Sequence, residues 1–139
     1  MSPARYMLDT NILIYIRQAR PSHVVARFGA LQRGEAVLSV ITYGELLFGL
    51  EKAPDKASAQ RVLSELLSLI PIVPLPPRAG EVYGRVRAAL ASKGQMIGNN
   101  DLWIAAHAIA TDLTLVTNNI REFERVPGLI IQNWAKAGA

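Results

Sequence analysis

The chain has 139 residues, half of them hydrophobic, with no cysteine and a formal net charge of +4. That length fits one domain able to bury a core, and the lack of cysteine excludes both a disulfide framework and a Cys-based zinc site. The N-terminal MSPARYMLDT has no secretory h-region and prolines interrupt the longest apolar run, LLSLIPIVPLPP, so a cytoplasmic protein without membrane association is expected.

In chain order, RYML (5–8) reads as a strand that stops at Asp9-Thr10-Asn11, before a second apolar run, ILIYI. AVLSV (36–40) reads as the second strand, and Glu45 follows it in SVITYGELLFG. In DKASAQRVLSELLSLI, Ala59, Val62, Leu63, Leu66, Leu67 and Ile70 form the stripe of an amphipathic helix, with Asp55 as its cap. PIVPL (71–75) is the third strand; Pro71 and Pro74 lack a backbone donor, which places it at a sheet edge. PRAGEVYGRVRAALASKG is a second amphipathic helix on Ala79, Val82, Tyr83, Val86 and Leu90, with Gly94 as its stop. DLWIAAHAIA is apolar nearly all round, as in a buried helix, and LTLVT (113–117) and LIIQ (129–132) complete the strands. The strands are continuously apolar rather than alternating, which fits parallel strands covered on both faces. Strand–helix alternation then predicts one doubly wound α/β domain over residues 1–139.

In such sheets the site lies beyond the carboxyl ends of the strands. Asp9, Glu45, Asp101 and Glu122 all fall near expected strand ends or helix starts. Each also has a plain structural role. Asp9 can cap the following helix, Thr42-x-x-Glu45 spells a capping box, Asp101 suits a first helical turn, and Asn119-x-x-Glu122 is a weaker cap. Taken together they suggest more. Two carboxylates about 5 Å apart repel by about 3 kcal/mol at an effective dielectric near 20, so a cluster must raise pKa values or hold a cation. Oxygen ligands without His or Cys select Mg²⁺ or Mn²⁺ over zinc, an arrangement suited to phosphodiester hydrolysis.

DTNILIY, TYGELLFG, IGNNDLWIAAHA and LVTNNIREFERVPGL, in that order and spacing, resemble the PIN-domain ribonucleases, in particular the VapC-type toxins of bacterial toxin–antitoxin pairs. The resemblance implies a five-stranded parallel sheet flanked by helices and a Mg²⁺- or Mn²⁺-dependent endoribonuclease, often acting on structured RNA such as tRNA. It also implies a homodimer and a cognate antitoxin that lays a C-terminal segment across the site. By match to the motifs, Asp9, Glu45 and Asp101 carry over as the metal-binding acids, with Asn11 and Thr117 as polar support. Where many members have an acid two residues after the closing threonine, this chain has Asn119. Glu122, three residues on, resembles the acid that some VapC members use instead, with Asn119 as its neutral neighbour.

Arg87 and Lys93 are candidate phosphate contacts. Trp103 and Trp134 could stack on bases but suit a core equally. His107 lies roughly 240° around its helix from Asp101 and is expected to be packed or to support the site indirectly; His23 reads as a surface residue. The chain lacks the phospho-acceptor Asp and the Lys of a receiver domain, the Asp-x-Asp of a phosphatase and any Gly-rich phosphate loop. The alternative to a nuclease is a catalytically weakened PIN-like module that binds RNA or protein.

Overall fold

The computed structural model describes residues 3–136. Its strands are β1 (Tyr6–Leu8), β2 (Ala36–Ser39), β3 (Ile72–Val73), β4 (Thr114–Val116) and β5 (Ile131–Gln132). They form one sheet in the order β3-β2-β1-β4-β5, with every neighbouring pair parallel. The helices are α1 (Thr10–Gln18), α2 (Ser22–Gly29), α3 (Val40–Glu51), α4 (Lys56–Leu69), α5 (Pro77–Ser92), α6 (Asn99–Ala110) and α7 (Ile120–Phe123).

The fold divides along the pleat of the strands. Successive side chains of a strand point to opposite faces. Met7, Val37 and Leu115 therefore join Val82, Val86 and Leu90 of α5 and the apolar side of α6 in one core. Tyr6, Leu8, Leu38 and Val116 pack on the other face with Ile12, Leu13, Val24 and Trp134. Trp134 is fully buried, its ring set edge-on to Tyr6 with centroids 5.2 Å apart. It belongs to the core and is closed to nucleobases.

β3 lies at the sheet edge, where the missing donors of Pro71 and Pro74 cost nothing; the Pro71 carbonyl still accepts from the Leu38 amide at 2.9 Å. Gly94, with φ +64, follows the end of α5, and the Asp55 side chain caps α4 by accepting from the Ser58 amide at 3.2 Å. The strands are shorter than their apolar runs, because the ends of those runs turn into helix or loop. Val40, for example, already belongs to α3. His23 departs from expectation: it is half-buried and hydrogen bonds to the Ala135 carbonyl, tying α2 to the C-terminal segment.

No helix among the described residues is long and apolar enough to cross a membrane.

Candidate active site

β1 ends at Leu8, and the next carboxylate serves two neighbours at once. Asp9 Oδ1 accepts from the Thr10 amide at 2.9 Å, capping α1, while Oδ2 accepts from the Thr117 hydroxyl at 2.8 Å, just past β4. Capping and site membership therefore coexist in one side chain. Asp9 is buried, and burial raises its pKa against these two hydrogen bonds; the charges of Glu45 and Glu122 push the same way.

Glu45 is placed by a different device from the one its sequence context suggests. The cap of α3 is Ser39, whose hydroxyl accepts from the Ile41 amide at 3.1 Å, so the Thr42–Glu45 capping box does not form. β2 runs straight into α3, which starts the helix before Thr42 and leaves that hydroxyl buried without a partner. Glu45 is thus free to face the sheet edge. Its Oε1 accepts from the Thr10 hydroxyl at 3.1 Å, and Asn100 Nδ2 donates to Oε2 at 3.4 Å.

Asp101 is the third residue of α6, whose cap, Gly98, offers no side-chain acceptor. A carboxylate serving the helix dipole would have a lowered pKa. Asp101 shows the reverse and is pushed up to about 7, first by burial, then by its hydrogen bond with Glu122 and by the charges of Glu122, Asp9 and Glu45.

Glu122 lies in α7, where its Oε1 accepts from the Gly98 amide at 2.7 Å and its Oε2 from Asn119 Nδ2 at 2.6 Å. Burial raises its pKa, but the bonds from Gly98, Asp101 and Asn119 and the charge of Arg125 outweigh that and lower it. Of the bonded pair, Asp101 therefore binds a proton more tightly and Glu122 less tightly than an ordinary carboxylate. Gly98 lies against both acids: a Cβ there would stand 3.6 Å from Asp101 Oδ2 and 3.6 Å from Glu122 Oε1. Asn119 stands at the cap position of α7 but makes no side-chain cap bond; its amide is directed at Glu122 instead.

The supporting residues hold the turn between β4 and α7. Thr117 Oγ1 accepts from the Asn119 amide at 3.0 Å, and Asn11 Oδ1 accepts from the Asn118 amide at 3.2 Å. Sequence reasoning missed Thr10 and Asn100, the donors to Glu45, and Asn118, whose side-chain amide donates to the Tyr15 hydroxyl at 3.0 Å. Their signal was adjacency to an acid or asparagine already singled out.

The two candidate phosphate contacts belong to α5 and its end. Arg87 Nη1 donates to the Tyr83 hydroxyl at 2.6 Å, which donates to Asn99 Oδ1 at 2.5 Å. The Tyr83 ring stacks on Trp103 with centroids 3.8 Å apart, so Trp103 is half-buried and already stacked on one face. Lys93 is exposed at the end of α5.

Among the described residues, no three His, Asp or Glu side chains are arranged to hold one metal ion together. The donor chemistry nonetheless fits a hard divalent cation. All four acids offer oxygen, Asp9 and Asp101 are held above their ordinary pKa first by burial and then by neighbouring negative charge, and Mg²⁺ typically takes one or two carboxylates and keeps several waters. A cavity of about 310 Å³ between α1, α3 and α4 adjoins Glu45, lined by Ile14, Leu46, Leu50, Val62 and Leu66 among others.

The PIN domain family matches residues 6–129. Ribonuclease VapC2 of Rickettsia felis is 42% identical over 132 residues, covering 94% of this chain and 98% of that one. The tRNA(fMet)-specific endonuclease VapC of Salmonella typhimurium is 39% identical with the same coverage. A chain in the crystal structure of VapBC2 from Rickettsia felis, bound to a DNA fragment from their promoter, superposes with a TM-score of 0.87 at 42% identity. That match covers 93% of this chain and 98% of the other. Sequence and fold agree, and the chain belongs to the PIN-domain family, among its VapC ribonucleases.

Proposed function

We propose that the protein is a Mg²⁺- or Mn²⁺-dependent endoribonuclease, the toxin of a toxin–antitoxin pair, acting on structured RNA such as tRNA. The observation that carries this reading is the mutual electrostatic contact of four carboxylates, Asp9 at the cap of α1 and one each from α3, α6 and α7, with Asp101 pushed up to about 7. Asp9 and Asp101 are the residues that would hold the cation. When bound it supplies Lewis-acid polarisation of the scissile phosphate and a more acidic water. Asp9 is oriented for this by Thr10 and Thr117, and Glu45 by Thr10 and Asn100. Asp101 gives up its proton once the surrounding negative charge is compensated. Glu122, held ionised by Gly98 and Asn119, is the fourth acid and is placed to accept a proton. Asn119, which left a weakened binding module open, is accounted for as the partner of that glutamate.

The antitoxin belongs to the same reading. The relatives' solved complexes are toxin–antitoxin assemblies, VapBC, and some contain DNA. An arginine or lysine from the antitoxin arm would replace the cation among the acids, with adjoining apolar residues in the cavity beside Glu45. Self-association as a homodimer is part of the proposal and is read directly by light scattering. The decisive assay is RNA cleavage by purified protein with Mg²⁺ or Mn²⁺, lost in chelator. Cleavage that survives both chelator and the double substitution Asp9→Asn, Asp101→Asn sinks the proposal.

A further inference from the structure

His107 is the one fully buried imidazole among the described residues, and the chemistry above does not use it. Its Nδ1 lies 2.8 Å from Ser39 Oγ, itself fully buried. Ser39 Oγ already accepts from the Ile41 amide as the cap of α3, so its remaining hydrogen is available to Nδ1. That leaves the imidazole proton on Nε2, near the Pro74 carbonyl but short of a full hydrogen bond. Burial lowers the imidazole pKa, which keeps the ring in the neutral form that accepts from a hydroxyl.

The position of this contact matters. Asn100 and His107 are seven residues apart, two turns of α6, and so lie on one face. Asn100 reaches Glu45 and His107 reaches Ser39, six residues before Glu45, so the two contacts run in opposite chain order. α6, which carries Asp101, is thereby bonded to α3, which carries Glu45, both at the start of α3 and at the catalytic side chain. His107 and Ser39 are both fully buried, so losing the link leaves each of these polar groups short of a partner.

We propose that His107 is a positioning residue that, through the Ser39 cap of α3, holds Glu45 in register with Asp101. This rests on the ribonuclease reading of the site. The experiment measures kcat and KM for Mg²⁺-dependent RNA cleavage in His107→Phe, His107→Asn and Ser39→Ala, each also combined with Glu45→Gln. The Asn100 side-chain amide signal is followed by NMR in the same proteins.

His107→Phe and Ser39→Ala should each lower kcat by at least about tenfold, with KM within about twofold. Asn, whose Oδ1 can stand in for Nδ1 as acceptor, should restore most of the rate. In the Glu45→Gln background the loss should vanish, and the Asn100 signal should shift in both His107→Phe and Ser39→Ala. An equal fold-loss in both backgrounds means general loosening and overturns the proposal, as does an unmoved Asn100 signal. Full kcat in Ser39→Ala also overturns it, and that variant decides if His107→Phe does not fold. If Glu45→Gln itself cleaves at the wild-type rate, the reading of the site fails instead, while the Asn100 signal still tests the link between the helices.

Discussion

The site has two halves built on different principles. Asp9 and Glu45 are held by neutral donors, with Thr10, Thr117 and Asn100 satisfying their oxygens at 2.8–3.4 Å. Asp101 and Glu122 are bonded to each other, with the pKa of Asp101 raised and that of Glu122 lowered, and Glu122 is also held by Gly98 and Asn119. The first half is a frame set by hydrogen bonds from threonine and asparagine. The second half is a pair of carboxyl groups whose pKa values are driven in opposite directions. Oriented hydrogen bonds place the acids, and burial and mutual charge set their pKa values.

The largest expected effect comes from the second half. Asp101→Asn should reduce RNA cleavage to the level of the chelated protein. Because it removes a repelled carboxylate, the metal-free variant should melt at or above the wild-type temperature. A cap would behave oppositely and lose about 1 kcal/mol. The frame should respond in another way. Thr117→Val removes a donor from a buried carboxylate and should cost about 1–3 kcal/mol of stability, along with about 10–100-fold in activity. A Thr117→Val protein with unchanged melting and rate would erase the distinction between the halves.

Much of this arrangement was legible in the sequence because it depends on local pattern. Continuous apolar runs ending in Asp9 and before Glu45 marked parallel strands and the edge where ligands bind, and the prolines of β3 marked the sheet edge. What was hidden depends on pairing between distant segments. Ser39 and Thr42 are both good caps on paper; which one starts α3 is fixed by how far β2 continues beside β3, with Ser39 opposite Val73. α2 is only eight residues long and starts without a side-chain cap, so it offers little to mark it in the sequence. Thr10, Asn100 and Asn118 acquire roles only when Glu45, Tyr15 and Asn133 arrive from other parts of the chain. The replacement of a usual acid by Asn119 was visible, and the geometry gives it a partner in Glu122.

A smaller effect sharpens the second half. Glu122→Gln should lower the cleavage rate by at least about tenfold, roughly 1.4 kcal/mol of barrier. Glu124, exposed at the end of α7, is the control, and Glu124→Gln should leave the rate unchanged. Equal rates in both variants would reduce the site to three acids.

The smallest effect is on stability against pH in chelator. Asp101 binds its proton more tightly in the fold, at about 7, than at its ordinary value of 3.8. Its stabilising contribution is therefore complete below about pH 4 and lost as pH rises through about 7. Glu122, with its pKa lowered, contributes in the opposite sense, above its ordinary value and lost on acidification. The melting temperature of wild type relative to Asp101→Asn should accordingly fall between about pH 4 and about pH 7, and Mg²⁺ should flatten that fall.

The most direct measurement is the titration of the Asp101 carboxyl by carbon NMR in chelator and in Mg²⁺. A midpoint near 7 without the cation, moving well down when Mg²⁺ is added, is the predicted result. A midpoint near the ordinary aspartate value of about 3.9 in chelator, unmoved by Mg²⁺, would mean that the acids are caps that happen to be neighbours, and would contradict the account.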